Sequence, residues 1–308
     1  MSHNRQSQGD VLTGARQTMA AWSRVIKTRE DIPGPYQNLF DSTFDSRQAF
    51  PRVLLTPALN HFPRKTTERL VVDAQDALHI FERQGSRVEA FGYPYGEAYA
   101  VELGVVLLEA WLTVHGRTRQ GGDRAATVQF NTLSLRHFEQ ILQKLRPTRG
   151  AADAARLAAE KDKFNSLSTV HFKLMNYGRK SLVPGETVLR FVLQPEIRQP
   201  MFTLFGRTFY RTASVAHLTV LTDAELILIR DPEGKRESSV DRYGAVWQFI
   251  PLRAIESVAL SEAADERLLL SIRHRPGARI ERLFEASRRG ELEQLCAQLR
   301  TLVEQTRA

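Results

Sequence analysis

Short apolar runs separated by polar, Gly- and Pro-bearing stretches dominate the chain, and their length and alternation predict strands. In the second half the runs are Val188 to Leu193, Val215 to Leu221, Leu226 to Arg230, Val246 to Ile250, Ile255 to Leu260, Leu268 to Arg273 and Ile280 to Phe284. Asp231-Pro232-Glu233-Gly234 and Pro276-Gly277 supply turn chemistry between them. The closing segment changes period. Leu292, Leu295, Leu299 and Leu302 recur every three or four residues, which predicts an amphipathic helix. The first half follows the same order, with runs at Arg52 to Leu55, Arg69 to Val72, Leu78 to Arg83, Glu97 to Leu103, Val105 to Glu109, Trp111 to His115 and Thr127 to Phe130, then a helix over Leu135 to Arg146. Helical sequence precedes each set: Leu12, Ala15, Met19, Trp22 and Ile26 share one helical face, and an Ala-rich helix from Ala151 to Lys163 is expected to continue through Leu167, Val170 and Leu174.

The two halves read as one unit written twice. At an offset of 148, Leu70, Val72, Leu78 and Ile80 fall on Leu218, Val220, Leu226 and Leu228, and Tyr95-Gly96, Tyr99 and Val101 fall on Tyr243-Gly244, Trp247 and Phe249. A six-residue lengthening then shifts the offset to 154, pairing Phe130 with Phe284 and His137 to Arg146 with Glu291 to Arg300. The expected organisation is an N-terminal amphipathic helix over 1–30, a first domain over 31–149, a helical linker over 150–181 and a second domain over 182–308.

Several local phrases resemble bacterial PH-like domains and their GRAM relatives. They are Val183-Pro184-Gly185-Glu186 before the first strand, Leu221-Thr222-Asp223-Ala224-Glu225-Leu226-Ile227-Leu228 into the third, Phe249-Ile250-Pro251-Leu252 with Ile255 and Val258, and the terminal helix. The resemblance is clearer in the second copy. It implies an α+β fold of two PH-like units, each a seven-stranded bent antiparallel sheet or barrel capped by a C-terminal helix and preceded by a helix. It also implies binding of lipids, proteins or further copies, with no catalytic residues. Lipid-binding PH domains carry clustered basic residues on the first hairpin; Arg198, Arg207 and Arg211 here, and Arg64, Lys65 and Arg69 in the first copy, have a different spacing.

Composition narrows the function classes. With 42% hydrophobic and 25% charged residues over 308 positions, the chain is neither disordered nor a membrane bundle. The formal charge of +8 is shared evenly, +4 in each half, with no basic tail, so it reads as a mixed-charge surface. Met1 to Gln8 is polar and lacks the apolar core of a secretion signal, and the lone Cys296 sits on the apolar face of the last helix, so cytoplasmic residence is expected. Eight scattered His residues have no metal-ligand spacing, and no phosphate loop or nucleophile elbow occurs. No cofactor, metal or catalytic activity is therefore expected.

The sharpest feature is the first-hairpin segment of the second copy, about ten residues longer than its counterpart. Phe202, Leu204, Phe205, Arg207, Phe209, Tyr210 and Arg211 crowd onto it, and Lys235, Arg236 and Arg242 form a basic loop further on. Such a hairpin either packs within the chain or an oligomer, or meets an external surface. Tyr93, Tyr95, Tyr99, Tyr243 and Trp247 suggest a stacking platform for single-stranded nucleic acid, but lack interleaved basic residues. The expected function is a non-enzymatic binding or scaffold protein, contacting protein partners or itself. Peripheral binding to anionic lipid at the inner face of the membrane is the first alternative, and nucleic-acid binding the second.

Overall fold

The computed structural model describes residues 22–45, 47, 49–58, 60–61, 64–65, 67–146, 153–233 and 243–307. Strand β1 (Arg24–Ile26) and helix α1 (Gly34–Thr43) lead into β2 (Arg52–Thr56), the short pair β3 (Asn60–His61) and β4 (Arg64–Lys65), then β5 (Arg69–Asp73), β6 (Ala77–Gln84) and β7 (Arg87–Pro94). A 3-10 turn at Tyr95–Glu97 precedes β8 (Ala98–Val106), β9 (Glu109–Arg117), β10 (Asp123–Asn131) and α2 (Leu135–Leu145). After α3 (Ala154–Asp162), the order recurs: α4 (Phe172–Ser181), β11 (Val188–Gln194), the pair β12 (Ile197–Leu204) and β13 (Arg207–Ser214), β14 (His217–Thr222), β15 (Glu225–Arg230) and β16 (Gly244–Pro251). A 3-10 turn at Leu252–Ala254, β17 (Ile255–Ala263), β18 (Arg267–His274), β19 (Ala278–Phe284) and α5 (Arg289–Arg307) complete the chain. The protein is α+β, with its strands in antiparallel sheets and a helix at its C-terminal end.

The strand registers correct the offsets. Leu70 and Leu218 occupy equivalent places, since they face Phe81 and Ile229 across the next strand, so 148 holds through β5 and β6. Tyr93 opposite Leu78 matches Ile250 opposite Leu226, an offset of 157, so the second copy gains nine residues between β15 and β16. Tyr95-Gly96 is therefore the counterpart of Leu252-Arg253, in the turn after the strand, rather than of Tyr243-Gly244. At the helices 154 holds. Phe138, Ile141, Leu142 and Leu145 are buried on α2, and Leu292, Leu295, Cys296 and Leu299 on α5. Each such side chain stabilises by roughly 1.5–3 kcal/mol. A polar contact is repeated too: Arg52 bonds Gln140 in the first unit, and Arg190 bonds Gln294 at 2.8 Å in the second.

Other expectations are revised. Residues 1–21 of the leading helix lie outside the described residues, and its end is strand β1, where β-branched Val25 and Ile26 pair with Leu54 and Val53. The helix that opens the first unit is α1, which starts after Pro33 and lies 138 residues before α4; buried Tyr36 and Phe40 correspond to buried Leu174 and Gly178. The Ala-rich segment does not run unbroken. It passes from α3 into a 3-10 turn at Lys163–Leu167 and stops, leaving Val170 exposed. Val105 to Glu109 is the end of β8 and a turn through Leu107 at φ 53°, and β7 went unpredicted.

One seven-stranded sheet, ordered β10-β9-β8-β16-β15-β14-β11, joins the units, with β8 antiparallel to β16 from Gly244↔Val106 to Phe249↔Val101. One core accordingly runs through both, from Ile80 and Phe138 to Leu218 and Phe249. The junction also holds a buried ionic group. At the end of α2 the Arg146 Nε donates to Glu225 at 2.8 Å, its guanidinium lies 3.3 Å from Glu186, and it covers the Phe249 ring at 4.1 Å. Glu186 also accepts from the Val183 N–H at 2.9 Å.

Burial, and then neighbouring Glu225 against the opposing pull of Arg146, pushes the Glu186 carboxyl up to about 9 from its ordinary 4.5. A raised folded value means the folded state keeps a proton the unfolded chain has released. The associated stability is complete below about 4.5 and is lost as pH rises toward about 9. Thermal unfolding should thus show stability falling over that window, and Glu186→Gln should flatten the slope; an unchanged slope in the variant would assign the trend elsewhere.

Candidate functional site

The hairpin β12–β13 forms a two-stranded sheet apart from the others. Phe205 and Gly206 turn it with φ of 47° and 74°, the positive values that match a tight turn to the twist of its strands. Cross-strand partners are Leu204↔Arg207, Thr203↔Thr208, Phe202↔Phe209 and Pro200↔Tyr210, with an irregularity at Met201. Alternation puts Phe202, Leu204, Arg207, Phe209 and Arg211 on one face and Thr203, Thr208 and Tyr210 on the other. Phe202 and Phe209 stack at 4.8 Å, and the Thr203 and Thr208 hydroxyls meet at 3.1 Å.

These side chains stay largely open to water among the described residues. Phe205 is 95% exposed at the tip, and Phe202, Leu204, Phe209 and Tyr210 each keep about half of their surface in water. Six apolar residues on one hairpin, counting Met201, form the kind of patch that a lone globule rarely leaves open. Of the basic residues there, Arg198 pairs with Glu196 at 2.9 Å and Arg211 bonds Gln199 at 2.8 Å. Lys235, Arg236 and Arg242 lie outside the described residues. In the first unit Arg69 is held by Glu82 at 2.5 Å.

An open groove of about 1830 Å³ runs along the hairpin base, with Tyr210 and Arg211 on one side and Arg230, Arg282 and His217 among its other lining residues. Sequence reading did not select the last three, which come from β15, β19 and β14 and carry no shared local pattern. The Nδ1 of His217 bonds the Val215 carbonyl at 3.0 Å, and burial lowers the ring to about 4, so it is neutral near pH 7. Burial, with Arg230 nearby, lowers Arg282 to about 10; it bonds Gln248 at 2.8 Å.

The aromatic platform does not form. Tyr93 is fully buried, Tyr95 bonds Asp73, Tyr99 bonds Asp123 at 2.9 Å, and Trp247 packs edge-on against Tyr177, leaving Tyr243 exposed by itself. Glu102 is committed to the Trp111 indole N–H at 2.7 Å and to Gln248 at 2.9 Å. Among the described residues no group of His, Cys and carboxylates is placed to hold a metal, and no helix is long and apolar enough to cross a membrane. The chain matches no family model and none of the curated proteins.

Proposed function

We propose that the chain is a non-enzymatic docking module of two PH-like units that meets a protein surface, its own copies included, through the β12–β13 hairpin. The repeated order of strands ending in a helix supports the PH-like reading, and the exposed apolar hairpin carries the docking one. Burying Phe202, Leu204 and Phe205 on a partner removes apolar surface from water at about 25 cal/mol per Å². Light scattering tests it. The wild type is expected above its monomer mass of 35.0 kDa, and a Phe202→Ser/Leu204→Ser/Phe205→Ser variant with unchanged circular dichroism at that mass. A wild type at monomer mass would overturn self-association, and a variant that keeps the wild-type mass would overturn the part given to these three side chains.

A second reading has its own observation: Arg207 and Arg211 lie on the same hairpin face as the apolar side chains, the pairing suited to anionic lipid. Salt-sensitive flotation with anionic vesicles, lost in the triple-serine variant while both proteins stay monomeric, would put this reading first.

A further inference from the structure

A hairpin with no third strand is marginal in water, which makes its outer edges informative. The β12 edge is obstructed. Pro200 lacks an N–H, the register breaks at Met201, and Gln199 is tied to Asp265 of the β17–β18 turn at 2.9 Å. The β13 edge has no such obstruction, and no described side chain bonds its backbone. Positions on three other edge strands are covered: Glu160 and Lys163 take the Val188 N–H and carbonyl, Arg119 and Gln120 those of Gly92, and Arg300 and Arg307 the carbonyls of Val258 and Ile255.

We infer that β13 pairs antiparallel with β13 of a second copy about a two-fold axis at Tyr210, giving a four-stranded sheet from two hairpins. This rests on the docking reading and specifies its partner and register. Leu204 and Arg207 close a two-residue turn and bond each other, so alternation turns the backbone groups of Thr208, Tyr210 and Thr212 outward. Centring on Tyr210 sets Thr208 against Thr212 and Phe209 against Arg211, favourable cross-strand pairs. Moving the axis to Phe209 would set Arg207 against Arg211, and like charges directly opposed repel. Among the described residues, an open groove adjoins Tyr210, Arg211 and Thr212 of this strand. A two-fold contact of this kind closes on itself, so assembly stops at the dimer.

Sedimentation and cross-linking test the register. Thr208→Pro removes an outward N–H, keeps every apolar side chain of the hairpin, and sits where an edge strand tolerates proline. It is expected to fall to monomer mass with unchanged circular dichroism. Tyr210→Cys is expected to form a disulfide dimer under mild oxidation and Thr208→Cys is not, since Cys296 is buried and only position 210 meets itself. Association that survives Thr208→Pro, or equal cross-linking at 208 and 210, overturns the pairing alone. A wild type that stays monomeric overturns the pairing and self-association together.

Discussion

Replacing Arg146 by alanine is expected to lower unfolding free energy by about 3–5 kcal/mol, the usual effect of removing one partner from a buried charge group. Both carboxyl groups it serves, on Glu186 and Glu225, have fully buried side chains. The Glu225 Oε2 already lacks a hydrogen-bond partner, and the Oε1 is bonded by Arg146, so losing the guanidinium strips Glu225 of its charged donor. The variant would also lose the cation over the Phe249 ring. Since Arg146 comes from the first unit and both carboxyl groups from the second, the loss should loosen the junction before either unit melts. Urea denaturation measures the total, and hydrogen exchange in β8 and β16 locates it. A loss below about 1 kcal/mol would mean that the group is solvated in solution and contributes like a surface ion pair.

Gly244→Ala should have an effect of similar order, by a different route. Gly244 opens β16 at φ 130°, a conformation a side chain strains, and an added Cβ would lie 2.1 Å from the Val105 carbonyl oxygen. That oxygen belongs to the paired strand β8, so relief requires the strands to part. Backbone strain of about 1–3 kcal/mol and overpacking of about 1–3 kcal/mol both act at this position. Gly104→Ala is the control. Its Cβ would meet the Trp111 ring at 2.0 Å, but that side chain is only partly buried and can swing outward, giving up its bond to Glu102. Chemical denaturation should rank Gly244→Ala as the more damaging; the reverse order would show that the junction yields more easily than the indole.

The strands with alternating or continuous apolar runs were legible, as was the buried face of each closing helix, because burial imposes those periods directly. β7 was not. Its sequence, Arg87-Val88-Glu89-Ala90-Phe91-Gly92-Tyr93-Pro94, carries the Gly and Pro of a loop. At Gly92 an added Cβ would come within 3.0 Å of the His79 ring, a close approach that glycine relieves. The helix α1 was overlooked because its strength comes from Tyr36 and Phe40 packing on the first sheet, with little amphipathic pattern around them. The hairpin could be found because its residues are contiguous. Arg146, Glu186 and Glu225 could not, because only folding brings the end of one unit to the start of the next. The phrases that resemble PH-like domains do contain Glu186 and Glu225, and the structure gives those glutamates a task at the junction.

Because β8 and β16 are zipped by backbone bonds over six residue pairs, the strands of the second unit stand at a fixed bearing to those of the first. The chain is a bracket, with one arm set by the other, and beads on a string are the wrong picture. A load applied between the two units would reach every rung of that zip. The bracket would transmit the pull until the rungs failed together.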